Sequence, residues 1–110
     1  MHELGITRNI VAICSERAAP GARVVRVTLE IGRLSAVMPE ALQFCFDACT
    51  RDTPLAGAVL DIIDVPGRAR CRACGSEMTL DQRVALCACG SKDLQIVAGE
   101  ELKIRSMEVL

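Results

Sequence analysis

Cys71-Arg72-Ala73-Cys74-Gly75 and Cys87-Ala88-Cys89-Gly90 bracket the stretch on which the architecture turns, with twelve residues between Cys74 and Cys87. Two thiolates two residues apart can grip one metal ion across a tight turn, and Gly75 lets that turn close. Four thiolates fill a tetrahedral Zn(II) shell and leave no open coordination position, so the site they imply is structural rather than catalytic. The surrounding segment, residues 67–93, holds four of the seven cysteines and four arginines but no aromatic residue. It is too short to fold on apolar burial alone, and a metal cross-link is expected to hold it. Arg68, Arg70 and Arg72 would offset the negative charge of four thiolates. The second pair has one intervening residue instead of two, which forces a tighter bite. The competing reading of these four residues is a set of reactive thiols with no metal.

Working outward, the rest of the chain reads as alternating helices and strands. Ile6, Ile10, Ile13 and Cys14 recur at i, i+4, i+7 and i+8, one apolar stripe of a helix over residues 5–17. Pro20-Gly21 ends it. Arg23 to Gly32 alternates, with Val25, Val27, Leu29 and Ile31 on one face and Arg26, Thr28 and Glu30 on the other, a half-buried strand. A loop over 33–38 leads to Pro39-Glu40, which suits the first turn of a second helix. In that helix Leu42, Cys45, Phe46 and Cys49 form the buried face. Cys14, Cys45 and Cys49 therefore read as small core residues. Ala58 to Val65 is apolar on both faces apart from two aspartates, which predicts a central strand. Leu94–Val97 and Leu102–Leu110 read as strands joined around Gly99. In the last strand the apolar positions change face between Ile104 and Met107, which implies a bulge or a two-sided environment. The expected fold class is α+β: two helices packed on a small mixed β-sheet, with an inserted zinc-ribbon-like minidomain. Its expected division is an α+β domain over 1–66 and 94–110 and a zinc-binding minidomain over 67–93.

Composition narrows the functions. The chain has 110 residues, 51% of them apolar, but Phe44 and Phe46 are its only aromatics, so the core is aliphatic. With 13 basic and 14 acidic residues the net charge is −1, which gives no broad attraction to nucleic acid or anionic lipid. No apolar run approaches the roughly 20 residues of a membrane helix. Met1-His2-Glu3-Leu4-Gly5 lacks the pattern of a secretory signal. These features and an odd cysteine count predict a cytoplasmic protein without a disulfide framework.

The N-terminus carries a second candidate site. His2 is the only histidine. A free α-amine at Met1, the backbone nitrogen of His2 and its imidazole can chelate one ion in adjoining rings. The amide must lose its proton, which Ni(II) or Cu(II) can drive, and planar nitrogen coordination suits those ions. Glu3 can complete the set through its backbone nitrogen or carboxylate. The plainer reading is an exposed terminal histidine.

Several motifs in fixed order add to this reading. Met1-His2-Glu3-Leu4 opens the chain. Ile31-Gly32-Arg33-Leu34-Ser35 and Pro39-Glu40-Ala41-Leu42-Gln43-Phe44-Cys45-Phe46 occupy its middle, with Thr53-Pro54-Leu55-Ala56-Gly57-Ala58 after them. The cysteine pairs and Glu101-Leu102-Lys103-Ile104-Arg105-Ser106-Met107-Glu108-Val109 complete it. In these the sequence resembles the hydrogenase nickel-incorporation proteins of the HypA/HybF family, over nearly its whole length. The resemblance implies a metallochaperone, not an enzyme, that delivers Ni(II) to the large subunit of [NiFe]-hydrogenase. It implies nickel bound by Met1, His2 and Glu3, and zinc bound by Cys71, Cys74, Cys87 and Cys89. It also implies a nickel-handling GTPase as partner. This chain has no Gly-x4-Gly-Lys-Ser/Thr loop with which to hydrolyse GTP itself. Aligned from the C-terminal side, Leu86 falls where the family's third cysteine stands. Cys87 is displaced by one, so either the second knuckle is remodelled or Cys87 lies outside the site.

Two other functions fit parts of the sequence. A zinc-ribbon module for protein or nucleic-acid binding fits the cysteines, but near-neutral charge and two phenylalanines on one helix offer neither a phosphate groove nor a stacking platform. A rubredoxin-type redox protein fits Cys-x-x-Cys-Gly but gives the rest of the chain no role. Oligomeric state is open, a homodimer included.

Overall fold

A computed structural model describes residues 2–110. Eight elements follow in order: α1 (His2–Arg17), β1 (Val24–Gly32), α2 (Pro39–Cys49), β2 (Val59–Val65), β3 (Gly67–Cys71), β4 (Glu77–Leu80), β5 (Leu94–Ala98) and β6 (Leu102–Val109). They form two three-stranded sheets, ordered β2-β1-β6 and β4-β3-β5. The chain divides into two compact units. One comprises the N-terminal segment ending at Leu29, with Met38–Ile63 and Lys103–Leu110; the other comprises Glu30–Val37 and Asp64–Leu102. The cysteine-rich 67–93 segment thus falls within a unit that also includes 30–37, 64–66 and 94–102.

In the first unit α1 and α2 pack on each other. The buried stripe of α1 is Thr7, Ile10, Val11 and Cys14, spaced i, i+3, i+4, i+7. It is rotated from the stripe expected from the isoleucines: Ile13 is 41% exposed. Thr7 enters the buried face because its hydroxyl donates to the Glu3 carbonyl at 2.7 Å and so carries no unpaired polar group inside. α2 starts at Pro39, whose missing N–H is no loss in a first turn. It buries Leu42 and Phe46, while Cys45 and Cys49 are half-buried beside them. Gln43 Nε2 donates to the Leu60 carbonyl at 2.7 Å and ties the helix to β2.

The central strand of the first sheet is β1, not the 58–65 segment expected there. β2 lies at an edge and buries only Leu60, whereas β1 buries Val24, Val27, Leu29 and Ile31. Apolar composition misled here, because a small unit leaves much of an edge strand in solvent. Arg26 on β1 pairs with Asp61 on β2, and with Glu108 on β6 at 3.6 Å, matching the strand order with charge. On β6, Ile104 and Met107 are both half-buried although three residues apart.

The second unit has a small aliphatic core: Leu34, Ala69 and Leu80, with Met78, Ala85, Leu94 and Ile96 packed around them. β3 pairs antiparallel with β4 and with β5, the latter register shifting between Arg68 and Ala69. β5 therefore belongs to this sheet, while β6, beyond the Gly99 turn, lies in the other. Leu34 comes from the segment expected to be plain loop. Its N–H donates to the Gly99 carbonyl at 2.7 Å, and the Gly32 N–H donates to the Glu101 carbonyl at 2.7 Å. Three glycines make this approach possible. A Cβ at Gly32 would lie 1.9 Å from the Gly99 carbonyl oxygen, and one at Gly67 would lie 2.5 Å from the Leu80 carbonyl oxygen. Gly99 also has φ +107, in the left-handed region.

Candidate metal sites

The four cysteines of the second unit come together. Their sulfurs all lie within 4.8 Å of one another, with Cys71 Sγ 3.6 Å from Cys89 Sγ and Cys74 Sγ 3.6 Å from Cys87 Sγ. A tetrahedral ion with metal–sulfur bonds of about 2.3 Å sets its ligands about 3.8 Å apart. The cluster therefore has the dimensions of a four-thiolate Zn(II) site. Cys71 and Cys87 are buried, and Cys74 and Cys89 are exposed.

The one-residue deletion in the second pair is absorbed in the turn. In the first knuckle the Gly75 N–H donates to the Cys71 carbonyl, an i+4 closure; in the second, Gly90 N–H donates to the Cys87 carbonyl, an i+3 closure, each at 2.8 Å. The rest superposes in pattern. The Cys71 N–H donates to the Ser76 carbonyl and the Cys87 N–H to the Ser91 carbonyl, at 2.8 and 2.9 Å. Gly75 and Gly90 both have positive φ, +78 and +91. The sequence carried the signal: Cys74-Gly75-Ser76 recurs as Cys89-Gly90-Ser91, so the knuckles align on their C-terminal halves and Cys87 begins the shorter one.

Hydrogen bonds bias Cys71 and Cys74 toward the ionised form that a metal needs. The Ser76 hydroxyl, 3.3 Å from Cys74 Sγ, with its backbone N–H and the neighbouring thiols, brings Cys74 down to about 6. Cys71 is lowered chiefly by the Cys74 N–H, then by that of Ala73 and the Cys89 thiol. At Cys87 the Cys89 N–H favours the thiolate, but burial and the three adjacent sulfurs outweigh it and raise the thiol. Hydrogen bonds from the Cys87 S–H to the neighbouring sulfurs hold its proton in place until a cation joins the cluster. Around the knuckles Arg68 and Arg70 pair with Glu77, and Arg72 with Asp93 at 3.2 Å. The arginines expected to offset thiolate charge thus have carboxylate partners.

The N-terminal candidates lie in the first unit. Met1 falls outside the described residues. His2 and Glu3 open α1, with His2 Nε2 3.4 Å from Glu3 Oε2. The imidazole is 71% exposed and the Glu3 side chain 15% exposed. Glu3 also accepts the Met38 N–H, at 3.4 Å. Met38 is the residue before α2 and offers that helix no side-chain cap, so the Glu3 carboxylate takes up one of its free N–H groups. Glu3 is held below its ordinary range by its own backbone N–H first, then by the Met38 N–H and by His2. The Met38 contact had no sequence signature. Cys14, Cys45 and Cys49 are not grouped with any of these ligands among the described residues.

Residues 1–109 match the family model described as "Hydrogenase/urease nickel incorporation, metallochaperone, hypA". The chain belongs to the HypA family. A hydrogenase maturation factor HypA from a Nostoc species is 58% identical over 109 residues, covering 99% of this chain and 96% of its own. Another from Geobacter metallireducens is 52% identical over 110 residues and covers 99% of each chain. The solution structure of the Ni metallochaperone HypA from Helicobacter pylori superposes with a TM-score of 0.67 at 26% identity, over 98% of this chain and 97% of that one. A further HypA solution structure gives a TM-score of 0.72 at 28% identity. HypA proteins form a nickel-incorporation family, so this chain is a metallochaperone rather than an enzyme.

Proposed function

We propose that this chain carries Ni(II) at its N-terminus, on Met1, His2 and Glu3, and delivers it to the large subunit of [NiFe]-hydrogenase. Zn(II) on Cys71, Cys74, Cys87 and Cys89 is the structural cross-link of the 67–93 segment. The observation that carries the nickel reading is the pairing, at the start of α1, of the only imidazole with a carboxylate 3.4 Å away. Position at a helix start also matters. The first N–H groups of a helix have no intrahelical partner, so the His2 amide can give up its proton without breaking a ladder bond. An exposed imidazole at a chain end lets a receiving site replace the ligands one at a time. The zinc reading rests on the sulfur spacing; bound there, the ion would cross-link two knuckles in a unit whose apolar core is only a handful of aliphatic side chains.

The partners in this reading are a nickel-handling GTPase and the hydrogenase large subunit, and the compartment is the cytoplasm. No helix among the described residues is long and apolar enough to cross a membrane. The test is calorimetric nickel titration of untagged native protein, His2→Ala and a form extended before Met1, with zinc measured in each. Nickel binding at this site should be lost in His2→Ala and weakened by the extension, with zinc content unchanged. Undiminished nickel affinity in His2→Ala would place the cargo elsewhere.

A further inference from the structure

The outer face of α2 is the least explained surface of the first unit. Phe44, one of only two aromatic residues in the chain, is 81% exposed. It sits opposite the buried Leu42 and Phe46. Glu40, one turn before it, and Asp47, three residues after it, are exposed and share its side of the helix. Neither carboxylate is in an ion pair among the described residues, whereas Asp61, Asp64, Glu77, Asp93, Glu100 and Glu108 all are. The helix carries no basic residue in its last turn to balance them. Met38, at the head of this helix, is itself 60% exposed, and its N–H is bonded to Glu3. A large aromatic left in water between two unpaired acids does nothing for folding. It has the composition of an interface anchor with a charged rim.

We infer that this face of α2 is where the nickel-receiving protein docks, presenting an apolar pocket for Phe44 with Lys or Arg at its rim to meet Glu40 and Asp47. Charge complementarity sets the sign of that rim. Position sets the identity of the occupant: the N-terminus of α2 touches Glu3, so a protein seated on Phe44 stands beside the proposed nickel ligands, where direct ligand exchange requires it. The inference rests on the proposed delivery function and adds the surface that function uses.

The experiment measures binding of the nickel-loaded native protein, Phe44→Ala, Asp47→Lys and Asp47→Asn to the purified large-subunit precursor, by biolayer interferometry at low and high salt. Nickel and zinc contents are measured on the same samples. An aromatic anchor predicts about 30-fold or greater loss of affinity in Phe44→Ala. Asp47→Lys should lose more than Asp47→Asn, and native affinity should fall as salt screens the rim. Nickel and zinc contents should be unchanged, since neither residue is in a metal site. If the native protein binds the precursor and Phe44→Ala binds equally well, the docking face is wrong and the delivery reading survives. If, in a parallel titration with the GTPase partner, Phe44→Ala loses affinity for that protein and keeps it for the precursor, the assignment to the receiver is wrong. If the native protein does not bind the precursor at all, the delivery reading itself fails, and with it this inference.

Discussion

Substituting alanine for three glycines should produce three different outcomes, and the spread follows from geometry. At Gly32 the new Cβ would meet only backbone: the Gly99 carbonyl oxygen at 1.9 Å, its carbon at 2.1 Å and the Glu100 nitrogen at 2.6 Å. None of these can rotate aside, so the two segments must separate by more than about 1 Å to restore ordinary contact. That movement breaks the Leu34 N–H bond to Gly99 and the Gly32 N–H bond to Glu101, each 2.7 Å long. Two buried bonds left unmade cost about 1–3 kcal/mol each, and overpacking costs about 1–3 kcal/mol more. The expected loss is about 3–9 kcal/mol, a large part of the stability of a small domain. Gly57 has φ +77 but open space, so alanine there costs only the left-handed conformation, about 1–2 kcal/mol. Gly5 lies in α1 with nothing within 4 Å, and alanine there should stabilise by about 0.5–1 kcal/mol. The assay is urea unfolding of the zinc-loaded proteins by far-UV circular dichroism, with zinc release followed in parallel. A Gly32→Ala protein within 1 kcal/mol of native, or one no worse than Gly57→Ala, would refute the close-approach argument.

Two further predictions concern sulfur. Cys87→Ser should drop zinc well below one ion per chain, as Cys74→Ser should, because its sulfur closes the cluster 3.6 Å from Cys74; full zinc by mass spectrometry in Cys87→Ser would remove it from the shell. Burial raises the Cys14 thiol above its ordinary value, with Arg17 opposing more weakly. The folded value lies above the unfolded one, so this thiol's contribution is complete below the unfolded value near 8.5 and is lost as pH rises through the folded value. Between pH 8 and 10 the native denaturation midpoint should therefore fall more steeply than that of Cys14→Ala. Equal slopes would show that Cys14 does not titrate differently in the two states.

Local pattern determined much of this protein. The Arg23–Gly32 alternation, the Pro39 start of α2 and its Leu42/Phe46 face are periodic signals, and each element formed within a residue or two of where they placed it. The cysteine spacing likewise marked four residues for one metal, because a knuckle is a local turn whose ligands lie close in sequence. Ordered motifs covering the chain carried the family. Tertiary structure decided what depends on partners distant in sequence. It made β1 rather than β2 the central strand, since composition cannot say which apolar strand has neighbours on both sides. It took Leu34 out of an apparent loop into the second core, because that burial exists only where Gly32, Gly67 and Gly99 let backbones approach. It set β5 and β6 in different sheets, a matter of hydrogen-bond partners and not of propensity. It showed how Cys87 reaches its companions, by exchanging an i+4 turn closure for an i+3 one. And it brought the Met38 N–H to Glu3 across 35 positions of chain, a contact fixed by the packing of α1 on α2 and written in neither segment alone.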